Sequence, residues 1–277
     1  MSGDSDLSRA ASHGLPEGLL EALVEDVVAP DVAGVALTGS RARGDARPES
    51  DVDLLCFTDA PPRSDREVYR LRYVDDFLVS LSRTTLAAKR AELAAPDRAI
   101  WTVEALRQAR VLHDRDGGLA DLLAEARDFD WALLRKRARG FVSRELAGCA
   151  EEVHKLLGAL RGPDESALVY GALGLAQGLG RALAVASELL VDTENRYLDA
   201  LWRDAGRDSE WTALHRRTLG LDGAGEAWAR AVAGLQLYVE TWIRLAGMLR
   251  GDDRKVVEGA CARIERAALP SPRPGRP

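Results

Sequence analysis

Cysteine, histidine and aromatic residues are scarce in this chain, and each scarcity removes a class of answers. Cys56, Cys149 and Cys261 are the only cysteines, odd in number and far apart, with no Cys-x-x-Cys pair. That excludes a disulfide framework and a zinc-ribbon arrangement, and points to a reducing compartment. The four histidines form no metal-ligand spacing with them. Aromatic content is 5%, while Ala, Leu, Arg and Gly dominate, which favours helix over an all-β fold. A basic footprint is missing too. Net charge is −6, split between −8 for residues 1–128 and +2 for residues 129–277, so nucleic acid is not an expected partner. The acidic first part suits a metal or a cationic ligand. Residues 2–13 carry no apolar signal core, and no apolar run is expected to approach the roughly 18 residues of a membrane span. The expectation is a soluble cytoplasmic protein with no membrane partner.

What is present divides near Phe129. Residues 1–14 read as disordered, with little to bury. Leu15 to Val28 has the apolar stripe of an amphipathic helix, with Pro16 in its first turn and Pro30 beyond its end. Strands are expected at Val32–Thr38, Asp51–Thr58, Val68–Tyr73, Phe77–Ser82 and Val111–His113. Helices are expected from Thr84 as cap through Leu93, from Asp97 as cap to Ala109, and over Leu119–Arg127. Beyond Asp130 only helical patterns follow, over Trp131–Leu160, Glu165–Leu190, Glu194–Ala205, Trp211–Leu219, Glu226–Leu249 and Asp253–Ala267. The expected fold class is an α/β (α+β) domain with a small mixed sheet over residues 15–128, then an all-α helical bundle over 129–269 and a disordered tail at 270–277.

The most informative stretch is Gly39-Ser40-Arg41-Ala42-Arg43-Gly44 followed by Ser50-Asp51-Val52-Asp53-Leu54. On a strand, Asp51 and Asp53 project to one side. Two adjacent carboxylates repel unless a cation lies between them, and Mg²⁺ favours a few carboxylates completed by phosphate oxygens and water. Gly39 allows close backbone approach, and Ser40 with the following N–H groups can cradle phosphates. Arg41 and Arg43 add positive charge. The plain alternative is a solvated strand start beside an ordinary turn.

These two motifs resemble the signature of the DNA polymerase β-like nucleotidyltransferase superfamily, over roughly residues 20–125. The resemblance implies a small mixed sheet flanked by helices, two Mg²⁺ ions, and attack of an acceptor on the α-phosphate of ATP or another nucleoside triphosphate. It says little about the acceptor.

Such a site needs a further acid, and three sources stand open. Asp75 or Asp76 precedes the Phe77–Ser82 strand, near where many superfamily members place a third acid, although the strand interior carries none. A plain hairpin turn is the preferred explanation of both. Glu151 and Lys155 lie four apart on one helical face, and this stretch is similar to the kanamycin-type aminoglycoside nucleotidyltransferases. There a helical domain supplies a Glu as general base and a Lys near the phosphates. The resemblance therefore implies Glu151 as catalytic base, with Asp51 and Asp53 as metal ligands, and Gly39, Ser40, Arg43 and Lys155 as nucleotide-binding residues. Glu152 is the alternative base if the helix is rotated.

Other signals are weaker. His13 and His215 have no partner that sequence reveals, His113 reads as a sheet-edge residue, and His154, beside Lys155, as a surface residue. The Arg135-Lys136-Arg137 run with Arg139 reads as a solvated face. The small residues around Tyr170, Gly171, Gly174, Gln177, Gly178 and Gly180 suggest close helix packing, including across a homodimer. The expected activity is transfer of a nucleoside monophosphate to a hydroxyl of a small molecule such as an aminoglycoside. An antitoxin-like enzyme modifying a partner protein, and a degenerate nucleotide-binding regulator, are the alternatives.

Overall fold

The computed structural model describes residues 15–162, 164–222 and 225–267. The disorder expected at 1–14 and 270–277 lies outside them. The chain forms two compact units, Met1–Asp130 and Trp131–Pro277.

In the first unit, helix α1 (Leu19–Val27) buries Leu19, Leu20, Leu23 and Val27. It starts later than the apolar stripe suggests. Gly18 sits at φ +79° just before it, so the Pro16 turn precedes the helix. Then come β1 (Val32–Thr38), the five-residue helix α2 (Gly39–Arg43) and β2 (Val52–Thr58). A short helix α3 (Asp65–Val68) leads into the hairpin of β3 (Tyr69–Val74) and β4 (Phe77–Thr84). Helices α4 (Leu86–Leu93) and α5 (Pro96–Gln108), strand β5 (Arg110–Asp114) and helix α6 (Gly118–Arg127) complete the unit.

The five strands run in the order β3-β4-β2-β1-β5. β2 and β4 are parallel and the other pairs antiparallel. One face packs on α1 through Leu37, Leu54, Cys56, Val79 and Leu81. On the other, Leu119 of α6 closes over Gly34, where a Cβ would meet it at 3.1 Å. β1 and β2 are thus buried central strands, and their joining turn emerges at the sheet's end.

Two helix starts differ from the sequence reading. Thr85, not Thr84, caps α4 by accepting from the Ala88 N–H at 3.0 Å, because Thr84 is still paired to Phe57 in the sheet. Pro96 opens α5 instead of ending α4, and Asp97 follows it inside the first turn. A proline at the first helical position loses no hydrogen bond.

In the second unit, a 3₁₀ turn (Trp131–Leu134) enters the 25-residue α7 (Arg135–Ala159), followed by α8 (Glu165–Ala186). After a 3₁₀ turn at Glu194–Arg196 come α9 (Tyr197–Ala205), α10 (Glu210–Thr218), α11 (Ala227–Leu245), a 3₁₀ turn at Ala246–Met248 and α12 (Gly251–Arg266). α8 packs against α7, α10 and α11. Its glycines serve this packing inside the unit: Gly171, Gly174 and Gly178 receive Leu156, Glu152 and Cys149 of α7. By length and composition α8 is apolar enough to cross a membrane, contrary to the sequence expectation, but 67% of its most apolar window is buried in the unit, as in a core helix. All three cysteines are free and buried.

His215 gains in the fold the partners that its sequence neighbours do not show. It is 1% exposed, stacks on Trp211 at 4.8 Å, and its Nδ1 accepts from Trp202 Nε1 at 3.0 Å. Its Nε2 therefore carries the proton and donates to the Ala176 carbonyl at 3.0 Å. Burial of the ring outweighs that backbone bond and pulls its pKa down to about 4. The unfolded chain takes up this proton near pH 6.5, so stability falls as pH drops from about 6.5 to about 4. The loss is about 3 kcal/mol for this group. Urea titrations of wild type and His215→Gln test this. The variant is expected to be less stable at pH 7 by about 1–3 kcal/mol, and the gap to narrow on acidification; a constant gap would exclude a neutral buried His215.

Candidate active site

The chain crosses the open end of the sheet between β1 and β2, and two backbone features fix its path. Gly39 follows β1 at φ +69° and Gly44 ends α2 at φ +84°. Both values favour glycine. The Gly44 and Asp45 N–H groups return to the Ser40 carbonyl at 2.9 and 3.1 Å, which closes the single helical turn. Arg41 then turns inward. It is 2% exposed, donates from Nε to the Asp51 carbonyl at 3.0 Å and from Nη2 to the Ser50 carbonyl at 2.6 Å. Its guanidinium also lies 5.1 Å from the centre of the Phe77 ring. Arg41 thus holds the loop that delivers Asp51 and is not presented to a ligand as free positive charge. Arg43 points elsewhere, with Nε 3.1 Å from Asp45 Oδ1.

Asp51 immediately precedes β2 and Asp53 lies within it. In register, Asp53 stands between Thr38 of β1 and Ser80 of β4. The Ser80 hydroxyl donates to Asp53 Oδ1 at 2.6 Å. On the opposite flank, a Cβ at Gly39 would collide with Asp53 Oδ2, so the glycine lets the β1–α2 turn lie directly against the carboxylate. The Asp53 pKa is raised. Burial is the main cause and the Asp51 charge adds to it, while the Ser80 hydrogen bond and the charges of Arg43 and Arg41 act in the other direction.

This arrangement fits a hard divalent cation. The donors are two carboxylates, one pressed into a glycine cradle, and each additional positive charge relieves the penalty on ionised Asp53. Among the described residues no group of three or more His, Cys, Asp and Glu side chains converges on one point. The remaining ligands would come from substrate phosphate and water, the pattern Mg²⁺ favours.

The other proposed acids lie apart from this pair or in the second unit. Asp75 and Asp76 form the two-residue connection of the β3–β4 hairpin, with Asp75 at φ +51° and Val74 paired to Phe77. Asp76 lies four positions before Ser80, about 13 Å at strand rise. Ser80, facing Asp53, is a site residue that sequence reading passed over because it is not acidic. In the second unit, α7 turns Glu151 to solvent. Lys155 pairs with Glu152, Nζ to Oε1 at 2.6 Å, and not with Glu151. The Glu152 side chain lies over Gly171 and Gly174 of α8.

Two substitutions test the Asp53 environment. Gly39→Ala is expected to cost at least about 1–2 kcal/mol from backbone strain alone, read in urea unfolding. It should also weaken any Mg²⁺-induced rise in melting temperature. Ser80→Ala removes the hydrogen bond that favours ionised Asp53, so the Asp53 pKa should rise further in a carboxyl-carbon NMR titration. A fall or no change would remove Ser80 from the site.

Residues 17–103 match the family model described as a nucleotidyltransferase domain. No curated protein matches the chain. Among solved structures, the chain is similar to a nucleotidyltransferase-like protein from Exiguobacterium sibiricum 255-15, with 14% identity, a TM-score of 0.47, and coverage of 82% of this chain and 76% of that one. The first unit therefore has the fold of a nucleotidyltransferase domain with a small mixed five-stranded sheet, followed by a mostly helical C-terminal region.

Proposed function

We propose that the chain is a Mg²⁺-dependent nucleotidyltransferase that moves AMP from ATP onto a hydroxyl of a small acceptor and releases pyrophosphate. The observation that carries this reading is the Asp51–Asp53 pair with Asp53 lodged against the Gly39 turn. In this reading Asp51 and Asp53 hold two Mg²⁺ ions, which when bound would neutralise charge developing on the phosphates. Gly39 and Ser40 lie along the triphosphate. α2 is only five residues long, so its contribution is local N–H donors more than a helix dipole. Arg43, whose charge reaches Asp53, and Lys155 balance the remaining phosphate charge. The acceptor oxygen bonds to the α-phosphorus as the bond to pyrophosphate breaks, and its proton passes to Glu151. The resemblance to kanamycin-type enzymes makes an aminoglycoside the first acceptor to try. Buried free cysteines suit a reducing cytoplasm.

A second reading has one observation in its favour. Ser80 stands beside Asp53, and among the described residues no third acid joins the pair. A regulator that binds MgATP without transferring it would look the same.

One experiment separates the two. Full-length protein is incubated with Mg²⁺, each of the four ribonucleoside triphosphates and an aminoglycoside panel, and pyrophosphate is measured. Asp53→Asn is expected to lower the rate on the order of 10²–10³-fold. Glu151→Gln should lower kcat on the order of 10²-fold or more with little change in the KM for ATP, and Glu152→Gln much less. Activity that survives Asp53→Asn overturns the assignment. MgATP binding with no pyrophosphate across the panel favours the regulator.

A further inference from the structure

The basic run at the start of α7 has no role in the reaction above, yet it borders a cavity of about 300 Å³. That is the lower end of the size range of small-molecule pockets. Trp131, Ala138, Val185 and Met248 give it an apolar lining, and the first three are buried. Three charged side chains complete its wall: Arg135, Arg139 and Glu188.

Each charged group is held by specific geometry. Arg139 donates from Nη2 to the Gly247 carbonyl at 2.7 Å, which anchors its guanidinium to the 3₁₀ turn before α12. Arg135 Nε donates to Glu188 Oε1 at 3.1 Å. Glu188 is the unexpected member. α8 ends with the Leu189 N–H bonded to the Ala184 carbonyl at 2.9 Å and the Glu188 N–H to that of Val185 at 3.3 Å. In such an ending the left-handed residue is usually glycine. Here it is Glu188, at φ +60°. A glutamate in that conformation carries a backbone penalty that glycine would avoid, and it sets a carboxylate beside Arg135 at the cavity wall. Backbone outliers of this kind recur at ligand sites.

We infer that this cavity is a binding site for a small organic carboxylate with an apolar body. Two guanidinium groups and one carboxylate line the cavity, which leaves a net single positive charge for a monoanion to balance. The planar guanidinium fork matches a carboxylate, and the apolar lining accepts the rest of the ligand. Glu188 acts as an internal competitor that occupies Arg135 until ligand arrives.

Calorimetry of the full chain tests this with benzoate as probe, benzamide as its uncharged counterpart and inorganic phosphate as an anion without an apolar body. Benzoate is expected to bind, with benzamide weaker by about tenfold or more and phosphate weaker than benzoate. Arg139→Gln should weaken benzoate by about tenfold or more, and Ala138→Phe, which fills the lining, should abolish binding. Glu188→Gln should tighten it by freeing Arg135, a gain that loss of folding cannot mimic. Lys136→Gln, a cation on the same helix outside the lining, should leave affinity unchanged. The inference is overturned if benzoate gives no heat, if benzamide or phosphate binds as well, or if Arg139→Gln and Glu188→Gln both leave affinity unaltered.

Discussion

The buried guanidinium of Arg41 is the constraint on which the candidate site depends. A charge taken almost wholly out of water is costly unless its donors are used. Burial lowers the Arg41 pKa, and the nearby Asp51 and Asp53 charges offset only part of that. The hydrogen bonds to the Ser50 and Asp51 carbonyls and the stack on Phe77 tie three separate pieces of chain together: the α2 turn, the start of β2 and the start of β4. The loop from Asp45 to Ser50 has little apolar content with which to hold itself. Its order comes from two sets of bonds that meet at its end: Arg41 to the Ser50 and Asp51 carbonyls, and the Arg47 N–H to Ser50 Oγ at 2.8 Å. Arg110 of β5 adds a second clamp on α2 by donating to the Ala42 carbonyl at 2.9 Å.

With the loop fixed, the electrostatics of the pair follow from topology. β2 is flanked by β1 on one side and β4 on the other, so Asp53 cannot move away from either the Gly39 turn or Ser80. The same confinement that raises its pKa aims its Oδ2 at the turn. A carboxylate free to rotate into water would carry no such penalty and would offer no fixed geometry to a cation. The second unit shows the opposite economy with His215, where burial is met by keeping the ring neutral and using both nitrogens in hydrogen bonds.

Much of the first unit was legible because its signals are local. Val32–Thr38 is read from an apolar run between Pro30 and Gly39, and the Asp51–Asp53 pair from a two-residue spacing that a strand turns into one face. The misreadings at the site are of direction and partner, which periodicity does not encode. Arg41 and Arg43 look equivalent in sequence, but two residues of helical rotation, about 200°, send Arg41 into the core and Arg43 toward Asp45. Thr84 and Thr85 are equally good caps until sheet pairing claims the first. Ser80 is invisible to a search for acids, although its register opposite Asp53 follows once β2 and β4 are known to be parallel neighbours. The partners of His215 come from α8, α9 and its own helix, and no spacing reports a contact across 39 residues.

Helical rotation also bears on which acid of α7 is free to work as a base. Cys149, Glu152 and Leu156 fall three or four residues apart and share the face packed on the α8 glycines. Along that face Glu145 binds Arg181 at 2.6 Å and Glu152 binds Lys155. The other carboxylate oxygen of Glu152, Oε2, is buried without a hydrogen-bond partner. A group so placed must break an ion pair and leave a helix interface before it can take a proton from a substrate. Glu151, one residue earlier, is turned by about 100°, stands exposed and has no such interface to leave. Geometry within α7 therefore separates two neighbouring acids: Glu152 is committed to packing, whereas Glu151 stands clear of the α7–α8 interface.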